Sequence, residues 1–301
     1  MSIDVSKLKI IETLQDSERF LVQKAEHNNQ HVVLKKAKSK KMIANLQSEL
    51  LAYHLYGLLV KSGRCPFSIA SVIDSGDDWI LLSYLDGQPM NQLINEDNHL
   101  AYYGLLAEIM AFCDNKLKAS LNGSDLRLPS FTERQYKERL VGIRRRFDLI
   151  EGLGIKFDVR LLVKAADIYE ENIASLKTCF VNPDLTPSHI MIGEKNVSLF
   201  DFENAKLLGV RFSDLINMVT KIWFIEGDNV TAMNFYNSFW KHAGLSPDSF
   251  SKQLKTLTMQ RCVGFTDELL TKPNQYHNTS QEMTQDFANN IASVFEWGSS
   301  V

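Results

Sequence analysis

Apolar and polar positions alternate through the first third of the chain. Residues 8 to 37 read as three strands, Leu8 to Leu14, Phe20 to Ala25 and Val32 to Ala37, with Glu26 to Gln30 as the polar turn between the last two. In the third strand Val33 and Lys35 fall on one face, Val32 and Leu34 on the other. From Lys41 to Val60 the period lengthens: Leu46, Leu50, Tyr53 and Gly57 recur every three or four residues and predict a helix, with Glu49 beside the stripe. Two more strands follow, Ser71 to Asp74 and Trp79 to Tyr84. The strand period stops at Gly87 and Pro89, and helical patterns take over across 89–120, 130–152, 158–177, 212–226, 229–243, 247–270 and 280–297. One stretch interrupts them. Phe180 to Ile192 and Val197 to Glu203 hold apolar runs with strand character, and Gly193-Glu194-Lys195-Asn196 joins them as a four-residue polar hairpin connection.

Composition adds exclusions. With 301 residues, 45% hydrophobic and 23% charged, the chain is an ordinary globular protein with room for one large domain or two lobes. A formal net charge of −3 gives no general attraction to nucleic acid or to anionic membranes. Cys65, Cys113, Cys179 and Cys262 lie far apart and form neither a metal-ligand spacing nor a disulfide framework. Residues 1–7 lack the basic start and apolar block of a secretion signal, and no apolar run reaches the roughly 18 residues of a membrane span. A cytoplasmic protein with no membrane partner and no nucleic-acid polymer is expected, its oligomeric state open.

The hairpin carries the candidate chemistry. It brings the loop bearing Asp184 beside the strand end bearing Asp201, and two carboxylates at one site suit phosphoryl transfer. One accepts the proton of an attacking hydroxyl while the other holds magnesium against nucleotide phosphates. In the kinase pattern an Asn five residues after the catalytic Asp binds metal; His189 stands there. Val32-Val33-Leu34-Lys35 resembles the strand carrying the phosphate-binding lysine of kinases, and Glu49, on the helix directly after it, is placed to pair with Lys35. A strand-end Lys and a helical Glu are ordinarily solvated charges; the later carboxylates give them a second reading. Extended backbone from Ser83 to Leu85 forms the expected hinge, offering a carbonyl and an N–H to a nucleotide base. Arg144-Arg145-Arg146 reads as a solvated helix face, and Trp223, Phe224, Phe235, Tyr236, Phe239 and Trp240 as core. Ser213 or Asp214 suits a helix start.

These residues together resemble the aminoglycoside phosphotransferase and choline kinase-like small-molecule kinases. Asn182-Pro183-Asp184-Leu185-Thr186-Pro187-Ser188-His189 is similar to their H-G-D-L-x-P-x-N loop, Asp201-Phe202-Glu203 to their metal-binding triplet, and Asp214-Leu215 to the later D-L. The likeness spans residues 8 to about 220. It implies an α+β, bilobal protein kinase-like fold: a five-stranded antiparallel nucleotide-binding lobe with one helix over residues 1–85, and a mainly helical catalytic and acceptor-binding lobe over 86–301. It further implies Asp184 as catalytic base, Asp201 as magnesium ligand with His189 as a second, Lys35 as phosphate contact held by Glu49, and ATP or GTP as donor to a hydroxyl of a small molecule.

Three departures accompany the resemblance. Asn182 and Pro183 replace His and Gly, and His189 replaces Asn, imidazole being a poorer magnesium ligand than oxygen. The turn Leu14 to Phe20, where a Gly-rich loop covers the phosphates, holds no glycine; Ser17 and nearby backbone are left to serve, with Asp16 an awkward neighbour for a triphosphate. A catalytically inactive kinase-like binding module is therefore the competing reading. Acidic residues such as Glu226, Asp228, Asp267 and Glu268 fit either a cationic acceptor or a solvated surface, so aminoglycosides, macrolides, amino sugars and amino alcohols all remain open as acceptors.

Overall fold

The structure, a computed structural model, describes residues 3–61, 65–120, 156–173, 176–271 and 281–300. The expected helix over 130–152, the turns at 122–124 and 152–154, the Arg144 triplet and the side chains of Asp267 and Glu268 lie outside the described residues. The chain forms two compact units, Met1–Tyr102 with Asn182–Lys206, and Tyr103–Val181 with Leu207–Val301. Among the described residues, no helix is long and apolar enough to cross a membrane.

The first unit is built on a five-stranded antiparallel sheet, β1 (Lys9–Asp16), β2 (Phe20–His27), β3 (Gln30–Ala37), β5 (Val72–Ser75) and β6 (Trp79–Ser83), in the order β1-β2-β3-β6-β5. The predicted alternation holds. Val32 and Leu34 are buried with Ala25 and Leu81, while Val33 and Lys35 take the other face. Helix α1 (Lys40–Lys61) follows β3, and its buried stripe is Met42, Leu46, Glu49, Tyr53 and Tyr56. Glu49 thus sits within the apolar stripe rather than beside it, and Leu50, expected on it, is only half-buried.

A second, four-stranded sheet completes this unit: β4 (Ser68–Ile69), β7 (Gln88–Pro89), β9 (Ile190–Ile192) and β10 (Val197–Leu199), ordered β4-β10-β9-β7. Its β9–β10 hairpin closes through Gly193–Asn196 as the sequence predicts, Gly193 N–H donating to Asn196 O at 2.9 Å. The two-residue strands β4 and β7 have no sequence signal; β4 runs parallel to β10, and β7 pairs Gln88 with Ile192. Gly87, preceding β7, has φ +133°, and a Cβ there would collide with the Ile192 carbonyl oxygen. Gly87→Ala is expected to cost more than about 1 kcal/mol, because neither the dihedral nor the close approach admits a side chain. Urea unfolding measures it, and an unchanged midpoint would contradict this account.

The expected helix over 89–120 is shorter. A 3-10 turn, Met90–Gln92, leads into side-chain-bonded turns: Asn98 Oδ1 accepts from Asn95 N–H at 2.8 Å, and Asn98 Nδ2 donates to Leu93 O at 2.9 Å. Such local bonds offer the backbone an alternative to helix, and α2 begins only at His99, running to Ser120. The second unit continues with α3 (Val159–Asn172), α4 (Ser213–Ile225), α5 (Asn229–Ala243), α6 (Ser251–Thr271) and α7 (Gln281–Ser300), plus a two-stranded ribbon of β8 (Thr178–Val181) and β11 (Lys206–Val210).

Two helix boundaries depart from expectation. Helix α3 ends at Asn172, five residues short of the expected 177, and the α6 region opens as a 3-10 turn, Pro247–Phe250. Helix α4 starts at Ser213, as expected, but without a polar cap: Phe212, just before it, is left-handed at φ 65° and no side chain caps the helix. The fully buried Phe212 ring packs on Trp240 at 5.1 Å and Phe250 at 5.0 Å, so aromatic burial fixes this helix start where a polar cap was expected. The six aromatic residues read as core, from Trp223 to Trp240, are all buried.

Candidate active site

Within the first unit a cleft of roughly 290 Å³ opens between strand and hairpin residues. Leu14, Gln15, Val22, Val33 and Lys35 line it from the five-stranded sheet, Glu49 and Tyr53 from α1, Leu82 to Leu85 from the end of β6, and Met191, Phe200 and Asp201 from the hairpin.

Lys35 is its electrostatic centre. The ammonium lies 2.8 Å from Glu49 Oε2, 3.0 Å from Asp201 Oδ1 and 3.7 Å from Glu203 Oε2. It also sits 4.6 Å from the centre of the Phe20 ring. Burial opposes the charge on Lys35, but Glu49 and Asp201 outweigh it, and its pKa rises. Glu49, 1% exposed, is pushed up to about 7 by burial against the opposing pull of Lys35. Asp201 ends below its ordinary value: burial raises it, and Lys35, with a smaller contribution from His189, overrides that.

The Asp-Phe-Glu triplet is held by its aromatic member. Phe202 is fully buried, stacked on Tyr56 at 4.4 Å and edge-on to Tyr53 at 4.7 Å. Asp201 itself is left-handed, φ 58°, a conformation uncommon outside glycine and recurrent at functional sites. Its N–H donates to the Tyr53 hydroxyl at 3.4 Å.

The Asp184 loop is folded by its own residues. Leu185 N–H donates to the carbonyl of buried Asn182 at 3.0 Å, and His189 N–H to Thr186 O at 2.9 Å. His189 Nδ1 lies 2.6 Å from Asp184 O; a proton on Nδ1 makes that bond and leaves Nε2 toward Asp201 Oδ2, 3.8 Å away. The Asp184 carboxylate accepts from Asn204 Nδ2–H at 2.9 Å. Asn204, directly after the triplet, therefore ties the two halves of the site together.

Lys35, Glu49 and Asp201 are thus in direct contact, His189 adjoins Asp201, and Asp184 is joined to them through His189 and Asn204. Ser83 and Leu85 line the cleft. Ser83 N–H bonds Ser71 O at 2.9 Å, and Tyr84 N–H bonds His31 O at 3.3 Å. Ser17 lies in the β1–β2 turn, where its hydroxyl donates to Phe20 O and accepts from Arg19 N–H and Phe20 N–H; from the neighbouring strand it is Leu14 and Gln15 that line the cleft. Asp16 is ion-paired with Lys38, which offsets its charge. Sequence reasoning gave no role to Arg19, Glu203 or Asn204. Only Glu203 carried a signal, as the last member of the triplet.

For a cation, Asp201 supplies a hard oxygen and His189 a nitrogen. Among the described residues no group of three or more His, Cys, Asp or Glu is placed to hold a metal. Asp201 fits magnesium, which is commonly held by one or two carboxylates and completes its shell with substrate phosphates and water; the His189 nitrogen is the poorer donor.

No protein-family model and no curated protein matches this chain. Solved structures do, over nearly its whole length. The ADP-bound aminoglycoside phosphotransferase APH(2'')-Ib aligns at 14% identity and TM-score 0.56, covering 97% of this chain and 94% of its own. The macrolide 2'-phosphotransferase from Brachybacterium faecium aligns at 12% identity and TM-score 0.55, with 95% of each chain covered. A GDP and kanamycin complex of another APH(2'') enzyme aligns at 15% identity and TM-score 0.57, covering 98% and 95%. The fold is therefore α+β and protein kinase-like. Within that class, it is the fold of the aminoglycoside and macrolide phosphotransferases.

Proposed function

We propose that this chain is a small-molecule kinase, moving the γ-phosphate of ATP or GTP to a hydroxyl of its acceptor. The observation that carries the reading is the buried Lys35 ammonium bridging Glu49 and Asp201 in a cleft of this size. A buried cation with more acid around it than it neutralises is suited to a ligand that brings both phosphate and a divalent cation. The nucleotide-binding solved structures of the same fold support it.

In this reading the base lies against Leu82 to Leu85, where the Ser83 carbonyl and the Leu85 N–H serve its edge. Lys35, fixed by Glu49, contacts the phosphates. Asp201 and His189 would hold magnesium, which supplies neutralisation of charge on the phosphates when bound. Asp184 accepts the proton of the attacking hydroxyl, and Asn204 orients the carboxylate by holding Oδ2, leaving Oδ1 for that proton. The acceptor class spans aminoglycosides, macrolides, amino sugars and amino alcohols.

The test is transfer of labelled γ-phosphate from ATP and from GTP, with magnesium, across those acceptor classes. Transfer to a hydroxyl supports the assignment. A folded protein that binds neither nucleotide overturns it, and nucleotide binding with no transfer to any acceptor favours the inactive binding module.

A further inference from the structure

The β1–β2 turn poses a chemical problem for a nucleotide site. A Gly-rich loop holds phosphates with its backbone N–H groups, whereas here Ser17, Arg19 and Phe20 direct theirs inward. Ser17 N–H donates to Phe20 O at 3.0 Å, and Arg19 and Phe20 N–H donate to Ser17 Oγ at 3.3 and 3.0 Å. Three of the turn's N–H groups are thereby engaged within it, which shifts phosphate contact toward its side chains. Asp16 is held by Lys38, and Glu18 is itself acidic, which leaves Arg19 as the cation of the turn.

Arg19 is already placed beside the phosphate-binding candidates. Its Nη1 lies 3.0 Å from Glu203 Oε1, while the other oxygen of that carboxylate lies 3.7 Å from Lys35 Nζ. The same two cations also share the ring of Phe20, Arg19 at 5.6 Å from its centre and Lys35 at 4.6 Å. The Arg19 side chain is 47% exposed, so the guanidinium reaches solvent while Lys35, at 8%, does not. A planar fork of donors on an exposed stem, beside a fixed buried ammonium, makes a two-cation clamp for adjacent phosphoryl groups.

We infer that Arg19 binds the phosphates of the donor nucleotide, a side-chain contact standing in for the backbone cradle, with Glu203 holding the guanidinium in place until the nucleotide arrives. The inference rests on the phosphotransferase reading and assigns one more residue to it. Calorimetry on the full chain with magnesium compares ATP with adenosine and GTP with guanosine, for the parent, Arg19→Gln and Arg19→Lys. Arg19→Gln is expected to weaken triphosphate binding by about tenfold, the scale of one lost charge-assisted contact, and to leave nucleoside binding unchanged. Arg19→Lys, which keeps charge but not the fork, falls between. Unchanged triphosphate affinity in Arg19→Gln overturns the inference. So does a parallel loss of nucleoside and triphosphate, which would mark Arg19 as a support of the turn. If the parent binds no nucleotide at all, the phosphotransferase reading falls and the assignment of Arg19 falls with it.

Discussion

Asp184→Asn is expected to lower kcat by about 10³-fold, within the range that a positioned general base contributes, while nucleotide affinity stays near the parent's. The two side chains have nearly the same shape, and the amide oxygen of Asn can still accept from Asn204, whose Nδ2 lies 2.9 Å from Asp184 Oδ2. The backbone carbonyl of residue 184, which meets His189 at 2.6 Å, is unaffected. Loop geometry is thus preserved and only proton acceptance is removed. Steady-state phosphate transfer with circular dichroism as a folding control measures the effect. A variant retaining more than about a tenth of parental kcat would mean that the acceptor hydroxyl is deprotonated elsewhere.

Lys35→Met is expected to produce a loss of stability that depends on pH. In the parent, Glu49 gives up its proton near 7 in the folded chain against 4.5 as its ordinary value. Between those values the folded state holds the extra proton, so stability falls as pH rises. Removing Lys35 takes away the charge that draws Glu49 down, and its folded value climbs further. Below about pH 7 Glu49 is protonated in both proteins, and this residue adds little to the difference between them. Above it the parent ionises and the variant does not, so the penalty grows by about 1.4 kcal/mol per pH unit until the variant's carboxyl also ionises. Urea unfolding of both proteins near pH 6 and near pH 8.5 measures the difference. A penalty equal at the two pH values would mean that Glu49 does not depend on Lys35 for its charge.

Strand alternation placed Lys35 opposite the buried Val32 and Leu34, and the hairpin brought Asp201 to the site, because period and turn chemistry are local properties that a sequence displays directly. Glu49 is legible as the partner of Lys35, but the period places it beside the apolar stripe, whereas it lies within it. A carboxylate counts as polar in any periodicity, and only the ammonium of a different element makes its burial tolerable. Arg19 and Glu203, or Asp16 and Lys38, meet across sequence distances that no window spans. The strand β4 is two residues long, and its parallel partner β10 lies about 130 positions further on. The end of α2 nearest Pro89 is not legible in the period because Asn95 and Asn98 bond the backbone locally, whereas the start of α4 at Ser213 is, although no polar side chain caps it.

The membership of the first unit bears on biosynthesis. Residues 1–102 emerge from a ribosome well before residues 182–206, yet Phe202 stacks on Tyr56, β10 pairs with β4, and Asp201 meets Lys35. Translation at about 5–20 residues per second leaves the nascent N-terminal segment waiting several seconds for the strands that complete its second sheet. During that interval Tyr53 and Tyr56 lack the Phe202 ring, and Ser68–Ile69 has no strand to join. The early segment is thus a natural client for a holdase chaperone, and premature chain termination before residue 182 should yield a fragment prone to aggregation.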